Sequence, residues 1–429
     1  MQIVTEAVVA ERLRALPGDE PRIVVSGNYA TPWELVRILD ASLPRCRAFV
    51  MNAQSGWPCR EGFVTETPFV GPGAREEPML DYLPMRLSLV PKLFNTTRAP
   101  DAVLVHASAP RGSKLSLGVE VNILPAAIEQ VRRRGGLVVA QINPRMPYTR
   151  GDSEIDLDQV DLAIEVDQAL PSPSEREPDD SALAIGEMVA SLAIEGGTLQ
   201  MGIGQLPNAA LGHMLKRRNL GVWSELVSDG VMNLDRAGAL DPAREMTASF
   251  LFGSPEFYQW ASESTRLVMR RTEIVNDPTN ISRHQSMLSI NTALQVDLYA
   301  QANASYVRGT IYSGFGGQPD FVSGALHSAG GHAVMALRSW HDKSDSSTLI
   351  PLIHDPVCSF QHSVVVTEQG LATLFGRSEH AQARLLIERA AHPRARESLW
   401  KAAASLGLLR TSDERRSRER EAANHTTSD

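Results

Sequence analysis

Short β-branched apolar runs alternate with helix-period segments along nearly the whole chain, a pattern that leads to a mainly parallel sheet covered by helices. The runs "RIVVSG" (22–27), "AVLVHASA" (102–109) and "GLVVAQIN" (136–143) are of this kind. Between the last two, "EVNILPAAIEQVRRRGG" reads as a helix stopped by Gly135 and Gly136, so the three pieces make a β-α-β unit. The stretch "ALPSPSEREPDDSA" (169–182) is rich in Pro, Ser and charge, and a domain boundary is expected there. After it the alternation resumes. "DDSALAIGEMVASLAIEGG" has Asp180 or Ser181 as its cap, "TLQMGIG" is a strand, Pro207 opens the next helix at its first position, and "NLGVWSE" is the next strand. The expected division is an α/β domain over residues 1–175, a second over 183–410, and a tail, 411–429, too poor in apolar residues to pack.

Composition limits what such a chain can do. At 429 residues, 43% hydrophobic and 21% charged, it can bury two cores. The net charge of −8, with no basic block before the last twenty residues, argues against nucleic acid as a partner. Three cysteines, Cys46, Cys59 and Cys358, have neither metal-ligand spacing nor an even count, which points to a reducing cytoplasm rather than a disulfide framework. No stretch approaches eighteen uncharged apolar residues, so no membrane span is expected. The eleven histidines show no His-Glu-x-x-His or comparable spacing, and no metal is expected.

Three places could carry chemistry. In "GIGQLPNAA" (202–210), glycines between a strand and a helix let backbone N–H groups approach a phosphate. Glu225 lies 21 residues after Gly204, where a dinucleotide fingerprint would have its ribose-binding acid, but Pro207 stands where that fingerprint has a glycine. In "YSGFGGQPDF" (312–321), three glycines in four positions suit a nest of N–H donors or a tight turn. In "HSVVVTEQGLATL" (362–374), a β-branched strand ends in Glu368 and then a glycine, as "NLGVWSELVSDG" ends in Glu225. Carboxylates at the C-terminal ends of strands, beside glycine loops, are where open α/β sheets bind ligands. Glu225 by itself could equally be a strand end, a helix-entry acid or a ribose ligand. His106 ends a first-half strand and Asn28 and Tyr29 sit in a first-half loop; each could face a cleft or serve only packing and turn formation.

In "LQMGIGQLPNAAL", "SELVSDGVMNL", "SFLFGSPEFYQW", "EIVNDP", "MLSINTALQVDL", "SGFGGQPDFVSGA", "VVVTEQGLA" and "AHPRARESL", in that order, the chain resembles the acetyl-CoA hydrolase/transferase family of CoA-transferases. The resemblance covers nearly the whole chain and is strongest from Thr198 to His392. It implies two tandem open, mainly parallel-sheet α/β domains with the active site between them. It implies an acyl-CoA:carboxylate CoA-transferase and leaves open acetyl-CoA hydrolase activity beside it, with CoA as a substrate, a covalent glutamyl-CoA intermediate and no tightly bound cofactor. By the same resemblance Glu225 is the nucleophile, Asn291 orients it through a side-chain amide and Glu368 is the second active-site acid; the tetrahedral oxyanion of each step needs preorganised donors, and Gly316 and Gly317 are the candidates for backbone donors. Gly202, Ile203, Gly204, Gln205, Leu206, Leu294 and Gly317 line the CoA site. A hydrolase and a non-catalytic acyl-CoA-binding protein are the alternatives on the same fold. A homodimer is the default for an enzyme of this size. The chain departs from the family pattern at Trp223, at Arg338 in "VMALRSWHDKS", and at Arg145 and Arg150 in "INPRMPYTRGD". These positions leave the acyl and acceptor specificity open.

Overall fold

The computed structural model describes residues 1–173, 177–202, 204–358 and 361–409. The expected tail and Ile203 lie outside the described residues. The first half builds an eight-stranded, wholly parallel sheet in the order Gln2–Ile3, Leu162–Glu165, Leu137–Ile142, Ala102–Ala107, Arg22–Val25, Cys46–Val50, Phe63–Thr67, Leu80–Tyr82. Its strands read as continuous apolar runs because both faces are covered. Ile23 and Val25 pack with Val9, Leu13, Leu35 and Leu39 from the helices Glu6–Arg14 and Trp33–Ser42. Val24, one residue out of phase, points to the other face and joins a core that also contains Leu199, Val222 and Leu288 from the second half. One apolar core therefore runs continuously through both halves.

The second half builds a nine-stranded sheet ordered Gly370–Thr373, Val364–Thr367, His332–Ala336, Met287–Thr292, Thr198–Met201, Gly221–Trp223, Met246–Ala248, Leu267–Met269, Arg150–Gly151. Every neighbouring pair is parallel except the hairpin of Val364–Thr367 with Gly370–Thr373. Its edge strand, Arg150–Gly151, comes from the first half, so the sheets do not divide cleanly at the Pro- and Ser-rich segment. Apart from that edge strand, the second half enters this sheet at Thr198–Met201, winds outward to Leu267–Met269, then returns to Met287–Thr292 on the other side of the entry strand. That reversal creates a switch point, the crevice where open α/β sheets hold ligands.

Local expectations are met in part. The helix expected over "EVNILPAAIEQVRRRGG" begins only at Leu124 and ends at Arg134, with Gly135 in the left-handed conformation (φ +70°) that a helix stop requires. Glu120–Asn122 precede it as a separate segment bridged to Phe250. The cap of the helix Asp180–Ser191 is Asp179, whose carboxylate accepts from Ala182 N at 3.0 Å, one residue before the expected position. Pro207 is the third residue of the helix Gln205–His213 rather than the first. It still lies within the first turn, whose N–H groups have no intrahelical acceptor to lose.

Candidate active site

Glu225 leaves the sheet two residues after the strand Gly221–Trp223. Its carbonyl accepts from Ser249 N at 2.8 Å and Phe250 N at 2.9 Å, which fixes the backbone while the side chain enters a cavity of about 300 Å³ at the switch point. Gly202, Asn291 and Thr292, at the ends of the two strands that flank the reversal, form part of its wall. The glycine loop 314–317 forms another part, and Asn28, Asn52 and Asn122 from the first half form a third.

The amide on the nucleophile candidate is not the expected one. Asn276 Nδ2 donates to Glu225 Oε2 at 2.8 Å, whereas Asn291 lines the cavity but donates to Ser289 Oγ, also at 2.8 Å. Asn276 is aimed by its own neighbours: Thr272 Oγ1 donates to Asn276 Oδ1 at 3.2 Å, which leaves the nitrogen for Glu225. The indole of Trp223 donates to Val275 O at 2.9 Å and thereby ties this turn to the strand that delivers Glu225. Trp223, a departure from the family pattern, thus helps position Asn276. Burial, opposed by the Asn276 hydrogen bond and assisted by the charge of Asp320, pushes the Glu225 carboxyl up to about 7.

The glycine loop meets Glu225 directly. A Cβ at Gly317 would lie 1.9 Å from Glu225 Oε2 and 2.3 Å from Asn276 Nδ2, so only a hydrogen fits there. Gly314 and Gly316 take φ of +137° and +53°, which lets the chain turn tightly into the helix Gln318–His327. Among the described residues, the N–H groups of Gly316 and Gly317 have no protein acceptor. Unpaired donors at the start of a helix, beside a carboxylate, form a surface that can receive a developing oxyanion.

The remaining expected residues do not wall the Glu225 cavity. Gly204 (φ +118°) caps the helix Gln205–His213, and a Cβ there would meet open space. Gln205 is engaged on both sides, donating to Glu177 O at 3.2 Å and accepting from Arg338 at 3.1 Å, while Arg338 also pairs with Asp179 at 2.8 Å. Leu206 packs partly into the core, and Leu294 is exposed. Glu368 sits in the two-residue turn of the antiparallel hairpin and is not among the residues that wall the Glu225 cavity. Both its oxygens accept from Ser339 N, at 3.0 and 3.3 Å, and Oε1 also accepts from Ser339 Oγ. Burial alone would raise this carboxyl, but the two Ser339 donors outweigh it and hold it below its ordinary range. Ser339 adjoins Arg338, so Glu368 is linked to Gln205, at the start of the helix after the 202–204 segment, rather than to Glu225. His106 is a core residue, buried beside Gln141 and Asn143, and burial lowers its pKa to about 4.

A buried carboxylate behind the cavity wall was missed in the sequence. Glu120, 1% exposed, accepts from Asn28 Nδ2 at 2.8 Å and from Asn122 Nδ2 at 2.9 Å. Burial, opposed by these two bonds and assisted by the charge of Glu225, pushes it up to about 7. Its segment is stitched to that of Glu225: Glu120 forms an antiparallel bridge with Phe250, whose N–H holds the Glu225 carbonyl. The signal was a lone acid between β-branched residues in "GVEVN", where alternation puts Glu120 and Asn122 on one face.

Among the described residues no group of His, Cys, Asp and Glu could hold a metal ion, and no helix is long and apolar enough to cross a membrane. Residues 253–403 match the acetyl-CoA hydrolase/transferase C-terminal domain. The chain is 36% identical over 331 residues to 4-hydroxybutyrate coenzyme A transferase of Clostridium kluyveri, across 74% of this chain and 76% of that protein. It is 31% identical over 410 residues to succinyl-CoA:acetate/propanoyl-CoA:succinate CoA transferase of Fasciola hepatica, across 90% and 85%. The crystal structure of 4-hydroxybutyrate CoA-transferase from Porphyromonas gingivalis superimposes with a TM-score of 0.78 at 27% identity, over 94% of this chain and 97% of that one. The chain belongs to the acetyl-CoA hydrolase/transferase family of CoA-transferases.

Proposed function

We propose that the protein moves CoA from an acyl-CoA to a small carboxylic acid such as acetate, succinate or 4-hydroxybutyrate, with Glu225 as the nucleophile. The observation that carries this reading is the geometry around Glu225. A carboxylate projects into a cavity at the switch point, one oxygen is fixed by Asn276, and a bare glycine Cα lies against it. A Glu225 oxygen attacks the thioester carbonyl, the C–S bond breaks, and an acyl-glutamyl anhydride and CoA thiolate form. The thiolate then attacks the glutamyl carbonyl, releasing the first acid and leaving a glutamyl-CoA thioester. The incoming carboxylate attacks that thioester and expels the thiolate. Thiolate attack on the new acyl carbonyl gives the second acyl-CoA and restores Glu225. Each addition places a negative oxygen near the glycine loop, where the N–H groups of Gly316 and Gly317 can receive it; losing one such donor typically lowers rates ~100- to 1,000-fold.

Gly202, Ile203, Gly204, Gln205, Leu206, Leu294 and Gly317 are proposed to hold CoA. Asn291 is proposed to act on substrate rather than on Glu225, and Glu368 to steady the CoA loop through Ser339 and Arg338. Residues 1–175 and 183–410 are read as the two domains, with Arg150–Gly151 crossing between them. A reducing, cytoplasmic setting is supported by three free cysteines, and a homodimer is the working assembly. The test is to incubate the enzyme with acetyl-CoA, reduce with borohydride and locate the modified residue by mass spectrometry. Modification at Glu225 is expected. No adduct with any of a panel of acyl-CoAs would remove the covalent mechanism, and turnover independent of added carboxylate would make the enzyme a hydrolase.

A further inference from the structure

The first sheet delivers its C-terminal loops to two different places. The loops after Arg22–Val25, Cys46–Val50 and Phe63–Thr67 bring Asn28, Asn52 and Phe69 to the Glu225 cavity. On the other side of Arg22–Val25, the strand Ala102–Ala107 runs into the loop 108–111, Leu137–Ile142 runs into the segment 144–148, and the chain after Leu162–Glu165 reaches Leu170. These segments line a second cavity of about 870 Å³. That size falls within the ~300 to 1,000 Å³ of small-molecule sites, and the carboxyl ends of parallel strands are where open α/β sheets hold ligands. The two cavities share no lining residue among those described. The facing wall is one side of the helix Pro255–Glu263, which presents Tyr258, Gln259 and Ser262 at helical spacing. Two hydrogen bonds hold the walls together: Tyr148 N donates to Ser262 Oγ at 3.2 Å, and the Tyr258 hydroxyl donates to Pro171 O at 2.7 Å. Pro110, Pro144 and Pro147 fix φ in the loops, which lowers the cost of ordering them around a ligand.

Charge narrows the ligand further, because this cavity reverses the sign of the protein. The chain carries −8 in all, yet among the described residues Arg111, Arg145 and Arg150 line this space against one carboxylate, Glu263. Arg145 is paired with Asp167, and Glu263 accepts from Gln259 Nε2 at 3.0 Å. Arg111 and Arg150 have no ion-pair partner among the described residues; Arg111 lies over the ring of Tyr148, its guanidinium carbon 4.3 Å from the centroid. Two unneutralised guanidiniums match a dianion better than a monoanion, and their planar forks suit phosphate oxygens. A phosphate monoester carries about −1.5 to −2 at pH 7, whereas a lone carboxylate carries half of that. We infer that this second cavity binds the phosphate monoester of a small organic molecule, with Arg111 and Arg150 on the phosphate and the proline-lined loops against the organic part. The site is separate from the one that holds acyl-CoA, so both ligands are bound together. The inference does not depend on the role of Glu225.

The test titrates inorganic phosphate, adenosine 5′-monophosphate and adenosine into the full-length protein at pH 7.5 and low salt by calorimetry. Phosphate and the monophosphate are expected to bind, and adenosine at least about tenfold more weakly than its monophosphate. Arg111→Gln combined with Arg150→Gln should weaken the monophosphate at least about tenfold, while Glu263→Gln, which removes the like charge, should tighten it about threefold. CoA transfer measured without phosphate or nucleotide should be unchanged in both proteins, which reports that they are folded. Loss of folding cannot tighten binding, so if the double variant is insoluble the Glu263→Gln shift decides. Binding of the monophosphate should persist at saturating CoA. Failure of both anions to bind at millimolar concentration, affinities unmoved in soluble variants, or displacement of the monophosphate by CoA would overturn the inference while leaving the reading of Glu225 intact. Absence of an adduct at residue 225 would overturn that reading and leave this one standing.

Discussion

Glu225→Gln separates the catalytic use of this carboxylate from its effect on stability, because the two should move in opposite directions. Burial raises the Glu225 carboxyl from an ordinary 4.5 to about 7 in the folded protein. A raised carboxyl leaves stability untouched below pH 4.5, where both folded and unfolded chains are protonated. Between 4.5 and 7 the unfolded chain loses its proton first, so stability falls as pH rises, and above 7 the whole penalty is present. At about 1.36 kcal/mol per pH unit the penalty is about 3 kcal/mol. Glutamine has nearly the same shape, no charge, and an oxygen that can accept the Asn276 hydrogen bond. The variant should therefore be more stable than wild type by up to about 3 kcal/mol at pH 8 and equal to it at pH 4.5. For 429 residues the unfolding entropy is about 0.9 kcal/mol per kelvin, so the gain corresponds to about 3 °C in Tm. Scanning calorimetry of both proteins at pH 4.5, 6 and 8, with CoA transfer measured in parallel, gives the comparison. Lower stability at pH 8, or a gain of equal size at all three pH values, would show that this side chain is not a buried charge held ionised for function.

Further predictions follow from the same geometry. With the free enzyme, log(kcat/KM) for the acyl-CoA should rise by about one per pH unit below 7 and level off above it, since only the ionised carboxylate attacks; a profile flat from pH 5 to 8 would contradict this. Asn276→Ala removes a bond to the charged form, so the acid limb of that profile should move to higher pH, whereas Asn291→Ala should leave the limb in place. Gly317→Ala puts a methyl 1.9 Å from Glu225 Oε2, and displacing the nucleophile on that scale should cost about a hundredfold in kcat with circular dichroism unchanged. Trp223→Phe keeps the ring but loses the bond to Val275 O, and its profile should shift as that of Asn276→Ala does, by a smaller amount.

What could be read from the sequence follows the range of the forces involved. The parallel strands were legible because burial on both faces demands short, β-branched, mainly apolar runs such as "LVVAQI", bounded here by Gly136 and followed by Asn143 and Pro144. By itself Glu225 could equally have been a strand end, a helix-entry acid or a ribose ligand; its place at a ligand crevice was legible only with the matching strand end at Glu368, the glycine loops and the marker segments around it. Its amide partner was not. Asn276 and Asn291 are both asparagines in marker segments, and only the placement of the turn 272–276, held by Thr272 and by Trp223, decides which one faces the carboxylate. Trp223 was read as a departure from the family pattern, yet the same indole fixes that turn.

Glu120 shows the limit more sharply. In one dimension it looked like the first residue of a helix, because the apolar period of "ILPAAIEQV" extends backward through it. In three dimensions the segment 119–122 is held by the other half of the molecule: Leu251 N donates to Val119 O at 2.8 Å, and Val121 N and Asn122 N donate to Ser249 O at 3.0 and 3.2 Å. A helix there would have to give up these bonds and leave Asn28 without an acceptor. The tertiary partners that override the local period are also those that hold Glu225, so the residue most easily misread is the one that couples the first half of the chain to the Glu225 segment.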